Sequence, residues 1–556
     1  MGVRPMYDCP ACGGNLKFDI ESQQLACGYC NAKYDPYKIT KDKDGEEQKD
    51  FEVTIFTCPQ CGGEILSTDN TAAGFCSFCG ASTILSSRIT REKKPNYIIP
   101  FQKTKEDCKR EYQKLMRMFI YAPSHLKNPD KVNGFRGIYM PYWVYFYSQK
   151  THLLLNGSKS HRSGDYIITK HYDLSGELDA YYKGISYDGS SSFADRISES
   201  IAPYDVKNMK EFTPSILSGF YADTNDLDKK LYSDDAKAIA NDETSKFVKK
   251  NKEFSKYSVS IPKDPSNSFN TTLESCDLAM FPVWFMSYKN GDRVSYATVN
   301  GQTGKIFADL PVSIPKFLIG ALVIAIPIFF LLNAFLTIIP TILVSFVAVL
   351  AMIVGIIYTV ELKKIATKEN GEDDKGKQEA DRLARIRKEK KEREAAKAAG
   401  IEPPGKSAKT KNKNPEKKKT KKKDDTLKTI LIMFAILVFA GPAFTIIIGI
   451  IAFFGKVAAC MVSLVTVIIC LISNLGQIKR IDAKKGLPAT VYVLIADSIA
   501  LTVGAANPVH DAYYYSVVIL MLVAIAVALI DLIGCYNIYA TRKLPQFDYQ
   551  GGDDNA

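Results

Sequence analysis

The chain has 556 residues, a formal net charge of +12 at pH 7 and a mean hydropathy of −0.08, an average that hides how apolar and charged residues are segregated along it. Beyond residue 316 the chain consists almost entirely of long apolar runs and a lysine-rich run, which excludes a purely soluble globular protein. With 46% hydrophobic and 11% aromatic residues, a largely disordered chain is excluded as well.

Cysteines dominate the first 80 residues. Of the 13 cysteines, eight form four Cys-x-x-Cys pairs; 14 residues separate the two pairs of each set, and the second set repeats the first after 49 residues. Two facing Cys-x-x-Cys turns supply the four thiolates of a tetrahedral zinc site. We therefore predict two tandem zinc ribbons, at residues 1–40 and 51–90, each holding one structural Zn²⁺. The predicted ligands are Cys9, Cys12, Cys27, Cys30, Cys58, Cys61, Cys76 and Cys79.

The residues around the pairs agree with this interpretation. Gly13, Gly62 and Gly80 follow the second cysteine of a pair, where a positive φ is common, and Asn31 takes that position in the remaining pair. Residues 15–18 and 64–67 are predicted strands. A disulfide framework and a redox-active pair are the alternatives. Both are disfavoured, because the chain opens without a signal peptide and redox motifs do not occur as facing pairs.

The predicted zinc sites are structural. A zinc ion with four thiolate ligands has no open position for a catalytic water, so we do not predict an enzyme. Lys17 is the only base between residues 9 and 30, and residues 58–79 contain none. Because phosphate binding needs clustered lysine or arginine, we favour protein partners over nucleic acid for the ribbons, without excluding the latter.

The sequence pattern of residues 95–316 predicts an α+β cytoplasmic domain. Residues 96–101, 138–147 and 279–285 are β-prone, and the last two runs share a Pro-x-Trp sequence that suggests an internal duplication. Asn-Gly pairs at 290–291 and 300–301 are hairpin signals. Residues 105–121 and 226–253 have helical patterns.

Six apolar runs follow, each long enough to cross about 30 Å of hydrocarbon. They cover residues 317–336, 341–360, 427–454, 457–475, 489–506 and 514–534. We predict an all-α bundle of about six transmembrane helices, made of a hairpin at 317–360 and four helices at 427–534. Four or five spans are the alternative.

The basic segments predict the orientation in the membrane. Lysine and arginine are concentrated in the loops 361–426 and 476–488 and in the tail 535–556. The positive-inside rule places these segments in the cytoplasm, as the thiolate zinc sites require of the amino-terminal domains. We expect a multi-pass protein of a bacterial cell membrane with both termini in the cytoplasm.

The loop at 361–426 has two parts. Residues 378–399 predict a charged, solvated helix, and the lysine-rich residues 403–425 predict disorder. The second part is interpreted as a spacer, as a surface for anionic lipids or, as the least favoured reading, as a segment that binds nucleic acid.

Asp497 and Asp531 lie inside predicted spans, where ionisable residues are functional candidates by default. Their predicted depths differ by about 7 Å, close enough for one cation or a shared proton. The alternative is that Asp497 is protonated against a neighbouring helix while Asp531 reaches the interface.

Several stretches resemble a known family. They are residues 9–14 and 58–63 (Cys-Pro-x-Cys-Gly-Gly), 97–101, 137–143, 200–205, 300–305, 507–515 and 542–547. In these stretches the chain is similar to bacterial membrane proteins with transcription-factor-IIB-type zinc ribbons, some of which carry names that suggest a primosomal helicase. The resemblance covers most of the chain except the charged loop, and it implies bound zinc and a membrane location.

Together these features predict a membrane-anchored cytoplasmic zinc-ribbon protein, a scaffold or sensor that recruits protein partners to the bilayer. One alternative is an ion or proton transporter or channel with a regulatory zinc-ribbon domain. The other is a membrane-tethered nucleic-acid binder.

Overall fold

The computed structural model describes most of the chain as two units. The described residues are 7–44, 50–58, 64–67, 86–127, 134–290, 293–335, 339–398, 440–481 and 486–543. The first unit consists of the described residues up to Leu310, of Asp373–Leu383 and of the described residues from Ala540 onward. The second unit consists of Pro311–Glu372 and the described residues of Ala384–Tyr539.

The first unit begins with a small antiparallel sheet. Its strands, in the order β1–β2–β3, are Leu16–Asp19, Gln24–Cys27 and Lys33–Tyr34. The strand predicted at 15–18 is confirmed, and Leu16 lies opposite Cys27. Alternation is strict in β1, where Leu16 and Phe18 are buried while Lys17 is exposed.

A second, large sheet contains the other strands described in this unit. They are β4 Asp50–Thr57, β5 Glu64–Ser67, β6 Ser86–Lys93, β7 Tyr97–Ile98, β8 Arg136–Ser163, β9 Tyr166–Asp188, β10 Lys210–Glu211, β11 Tyr221–Ala222, β12 Ser258–Ser260, β13 Thr271–Asn290, β14 Arg293–Asn300, β15 Ile306–Ala308 and β16 Arg542–Lys543. The main path runs β10–β7–β13–β8–β11–β5–β4–β6, and β9, β12 and β14 pair with strands along it.

The two Pro-x-Trp runs become neighbouring antiparallel strands at the centre of this sheet. In the β8–β13 pair, Pro141 lies opposite Met280 and Gly137 lies opposite Trp284. Strand β14 then returns along β13, and β15 returns along the end of β14. Both predicted hairpins are therefore confirmed.

Helices of the first unit include α1 Pro36–Asp44, α2 Lys105–Met118, α3 Asp195–Ile201 and α4 Ser233–Lys250. The helices predicted at 105–121 and 226–253 correspond to α2 and α4. A capping box starts α2: the Thr104 hydroxyl accepts from the Asp107 N–H (3.2 Å), and the Asp107 carboxylate accepts from the Thr104 N–H (2.8 Å).

One apolar core joins the small sheet to the α+β region. Leu16 and Phe18 belong to the same buried cluster as Phe101, Tyr139 and Trp284. The predicted boundaries place residues 1–40 and 95–316 in separate domains. In the structure they share a core, because side chains of the later region cover the buried face of β1.

The second unit is helical. Its described helices are α5 Ile314–Phe335, α6 Pro340–Glu369, α7 Lys375–Ala398 (which begins in the first unit), α8 Ala440–Ile478, α9 Thr490–Ala506 and α10 Ala512–Ala540. The helical path of α8 is broken at Gly455, where φ is 72° and which lies between the predicted apolar runs 427–454 and 457–475.

Four described segments are long and apolar enough to cross a membrane. They are Ile314–Leu332, Pro340–Glu369, Val457–Ile478 and Ala512–Ala540. Helix α9 is apolar but has 17 residues, and residues 427–439 of the third predicted run lie outside the described residues. The structure thus supports a membrane protein, while the number of six spans remains a prediction.

Two helix ends lie beyond their predicted positions. Helix α6 continues past residue 360 to Glu369, and α10 continues past residue 534 to Ala540. At α6 the extra turns are rich in Glu, Lys and Ala, which propagate a helix beyond an apolar run. Helix α7 covers most of the predicted charged helix, and the lysine-rich residues 403–425 lie outside the described residues.

Candidate metal centre

Four sulfur atoms of the first ribbon meet in one place. The Sγ atoms of Cys9, Cys12, Cys27 and Cys30 all lie within 4.8 Å of one another. The Cys9–Cys30 and Cys12–Cys27 Sγ–Sγ distances are both 3.5 Å. Zn–S bonds of about 2.3 Å place sulfurs about 3.8 Å apart in a tetrahedron. This group could therefore bind one metal ion with little adjustment.

Both Cys-x-x-Cys pairs fold into the same backbone turn. The Gly13 N–H donates to the Cys9 carbonyl (2.8 Å), and the Asn31 N–H donates to the Cys27 carbonyl (3.0 Å). Gly13 has φ +72° and Asn31 has φ +56°, as the sequence predicts for these positions. The repeated turn presents both sulfurs of each pair on the same side of the chain.

Hydrogen bonds to sulfur favour the thiolate at two of the four cysteines. Burial opposes ionisation of Cys9, but hydrogen bonds from the Tyr34 hydroxyl (3.5 Å) and from backbone N–H groups outweigh it and lower the pKa of Cys9 to about 6. The N–H groups of Cys30 and Tyr29 lower the pKa of Cys27. At Cys12 a hydrogen bond from the Gly14 N–H is outweighed by hydrogen bonds with Cys27 and Cys30, which raise the pKa of Cys12 to about 12. At Cys30 a hydrogen bond from the Ala32 N–H is outweighed, and the pKa is raised, chiefly by the hydrogen bond with Cys9. Because zinc binds the thiolate, binding of a metal ion would release the protons held at these two positions.

Two aromatic neighbours of the cysteines were not predicted as site residues. Tyr34 in β3 provides the hydroxyl beside Cys9, and Tyr29 lies between the last two ligands with 81% of its surface exposed. A Cβ atom at Gly14 would lie 2.5 Å from the Tyr29 ring and 3.2 Å from Cys27 Sγ. The close approach of the ring explains the second glycine of the Cys-Gly-Gly motif.

Hydrogen bonds also fix the ribbon to the rest of the first unit. The Phe18 N–H donates to the Ser218 carbonyl (2.9 Å), and the Ser218 hydroxyl donates to the Leu16 carbonyl (2.6 Å). The Gln23 side-chain amide donates to the Phe101 carbonyl (2.8 Å). The metal site is therefore held by distant parts of the chain.

The region of the second predicted ribbon is described only in part. Cys58 is buried directly after β4, and the strand predicted at 64–67 is confirmed as β5. The other three predicted ligands, Cys61, Cys76 and Cys79, lie outside the described residues. One four-cysteine group is thus described, and a second zinc ion remains a prediction.

Asp497 lies in α9 and is completely buried. Neither of its carboxylate oxygens has a hydrogen-bond partner in the described part of the chain. Ser463 lies close to the carboxylate, but its hydroxyl donates to the Ala348 carbonyl (2.7 Å). An isolated carboxylate in apolar surroundings costs several kcal/mol when ionised, a cost that a bound proton or a bound cation at Asp497 would remove.

Asp531 has a different environment from that of Asp497. Its carboxylate accepts a hydrogen bond from the Tyr358 hydroxyl, whose oxygen accepts from the Ala489 N–H (3.4 Å). Ala489 precedes Asp497 by eight residues, or about 12 Å along a helix. The described hydrogen bonds of Asp531 thus lead to the start of α9, and a cation site shared by the two acids stays a prediction.

Comparison with known proteins gives a distant relative. The chain is 26% identical over 314 residues to the Uncharacterized protein YdjG of Bacillus subtilis (strain 168), and the aligned part covers 55% of this chain and 90% of that protein. No family model and no solved structure matches the chain.

Proposed function

We propose that the chain is a membrane-anchored scaffold or sensor that uses its zinc-ribbon unit to recruit a protein partner to the cytoplasmic face of a bacterial membrane. The observation that supports this proposal is the four-cysteine group, which belongs to a folded unit. The same chain also has four apolar helices of membrane-spanning length. Reducing conditions keep such thiolates available for zinc, and the basic loops favour the same cytoplasmic side.

The donor set supports recruitment rather than catalysis. Four thiolates complete the coordination of zinc and leave no position for a substrate or an activated water. The metal would instead stiffen the ribbon and hold its surface in one conformation. The lysine-rich loop at 403–425 would add contacts to anionic lipids.

Tyr29 lies on the surface that we expect to contact the protein partner. It lies on the turn between Cys27 and Cys30 and is 81% exposed, and tyrosine is enriched in protein interfaces. The ring packs against Gly14 next to the cysteine turn, so binding of zinc would help to fix its position.

Site-specific photocrosslinking in living cells tests the proposal. The full-length protein would carry a benzoylphenylalanine at Tyr29 or, as a matched control, at Phe247, an aromatic residue of α4 that is 66% exposed. We expect a discrete protein adduct from position 29 that Cys12→Ser abolishes, and none from position 247. Equal adducts at both positions, or adducts unaffected by Cys12→Ser, would argue against recruitment through the ribbon.

A second candidate function is cation or proton transport. The observation that favours it is the buried carboxylate of Asp497, whose oxygens lack hydrogen-bond partners among the described residues. The purified full chain would be reconstituted in liposomes, and proton and sodium fluxes would be measured for the unsubstituted protein, Asp497→Asn and the exposed control Asp511→Asn. Transport predicts a flux that Asp497→Asn lowers at least tenfold and Asp511→Asn preserves. Negligible flux in all three proteins excludes it.

A further inference from the structure

The β8–β9 hairpin extends beyond the part of the unit that supports it. Paired residues run from Tyr142 opposite Asp188 to Ser163 opposite Tyr166. Its middle is covered by β12, which pairs with residues 156–158, and by an apolar cluster. The members of that cluster are Leu153, Leu155, Leu174, Leu178, Val248 and Phe269. From 159 to 173, every residue is exposed. We refer to residues 158–171 as the hairpin tip.

The hairpin tip exposes three successive apolar side chains. Tyr166 is 77% exposed, Ile167 is 75% exposed, and Ile168 is also exposed. Because neighbouring residues of a strand point to opposite faces, Tyr166 and Ile168 lie on one face of the ribbon and Ile167 on the other. Apolar groups on both faces suit insertion of the tip into a partly apolar medium better than docking of one face on a flat surface.

Basic residues follow the apolar ones along the ribbon. Lys159 and Lys170 lie directly opposite each other on the face that carries Tyr166 and Ile168. Like charges at facing positions repel unless an anion lies between or above them. The lysine pair follows Ile168 by two residues, or about 7 Å. The tip has three lysines and arginines against one acid, Asp165, with its two histidines counted as neutral.

We infer that the hairpin tip inserts into the headgroup region of an anionic lipid bilayer. Tyrosine and isoleucine then lie at the boundary between headgroups and acyl chains, and the lysine pair contacts lipid phosphates. The carboxylate of Asp165, at the turn, confines the contact to the interface and keeps it out of the hydrocarbon. A bilayer is present wherever this chain is, because the same chain carries four membrane-length helices.

A nucleic acid fits the tip less well than lipid does. A two-stranded ribbon with basic residues can enter a groove of DNA, but phosphate contacts use Lys and Arg and do not require three exposed apolar side chains. Burial of Tyr166, Ile167 and Ile168 is favourable in the lipid interface, whereas they would stay exposed beside a phosphate backbone.

Fluorescence quenching by brominated lipids tests the inference on the full-length protein. Tyr166→Trp and the matched control Tyr181→Trp, a 60% exposed tyrosine nearer the root of the same hairpin, would each be reconstituted in vesicles of 70% phosphatidylcholine with brominated acyl chains and 30% phosphatidylglycerol. The unsubstituted protein corrects for Trp143 and Trp284. We expect the added tryptophan at position 166 to be quenched at least twofold more than that at position 181.

Two further measurements test whether the hairpin tip contacts anionic lipid. In the Tyr166→Trp protein, replacing phosphatidylglycerol by phosphatidylcholine, or adding Lys159→Gln and Lys170→Gln, should reduce the quenching at least by half. Equal quenching at positions 166 and 181 would overturn the inference. So would quenching that is absent until a protein or nucleic-acid partner is added. The purified protein is used alone, so failure of the lipid contact would leave the recruitment of a protein by the ribbon unaffected.

Discussion

Asp223 is a buried carboxyl group that makes the stability of the first unit depend on pH. Its side chain is buried and accepts hydrogen bonds from the hydroxyls of Ser190 (2.5 Å) and Ser192 (2.6 Å). Burial raises the pKa of Asp223 to about 7, because the cost of removing its charge from water exceeds the gain from these hydrogen bonds. The folded chain therefore holds a proton that the unfolded chain releases near pH 4.

This proton makes stability depend on pH. A carboxyl whose pKa is raised on folding contributes stability that is fully present below about pH 4 and is lost as the pH rises to about 7. We expect the free energy of unfolding to fall over this range by up to about 1.4 kcal/mol per pH unit for this group. Asp223→Asn should flatten that part of the curve, and Asp173→Asn, at an exposed hairpin position, should not. Urea unfolding followed by tryptophan fluorescence measures both, and equal slopes in the two variants would contradict the assignment.

The metal ligands could be predicted from sequence because their geometry is local. A Cys-x-x-Cys turn depends on four residues and on a positive φ next to them, so the turns that begin at Cys9 and Cys27 can be predicted from the local sequence. Tyr34 and Ser218 could not be predicted in the same way. Their roles arise when β3 and a distant loop are brought to the ribbon, and no spacing in the sequence encodes that contact.

At the scale of elements, the helices and the sheet differ in how much the sequence predicts. A long apolar run predicts a membrane-length helix directly, as in α5, α6 and α10. Strand β8 is predicted at 138–147 but extends to Ser163. From residue 159 onward its residues are polar and exposed, and the strand continues there because β9 pairs with it. Cross-strand pairing is a non-local property, which the alternation of residues within β8 does not reveal.

For the same reason, the order of the strands in the large sheet could not be predicted from local sequence patterns. The sequence predicts β7, β8 and β13 in part, and the structure places β13 between the other two. The short strand β11 then links β8 to β5, which brings residues from the region of the second predicted ribbon into the large sheet. Strands of two residues, such as β11, carry too little pattern to be predicted.

At the scale of the whole molecule, the candidate metal site and the α+β region share one buried core. Leu16 and Phe18 of the ribbon are buried in the same cluster as Trp284, so loss of the metal should loosen the core as well as the turns. The sequence predicts separate domains because the cysteine motif is complete within residues 1–40. Strand β1, in contrast, is buried only with the help of the later region, because Leu16 and Phe18 lie in the shared core.

Removal of the first metal site should therefore destabilise the first unit and leave the helices of the second unit intact. Cys12→Ser should lower bound zinc by one ion per chain and lower the midpoint of the tryptophan-detected thermal transition by a few degrees, since about 1 kcal/mol corresponds to about 1.5 °C in a unit of roughly 300 residues. Cys276→Ser, at a half-buried cysteine of the same unit outside the site, is the control and should change neither quantity. Circular dichroism at 222 nm reports mainly on the helices and should change little. An unchanged tryptophan transition in Cys12→Ser would mean that the ribbon folds and unfolds independently of the core that it contacts.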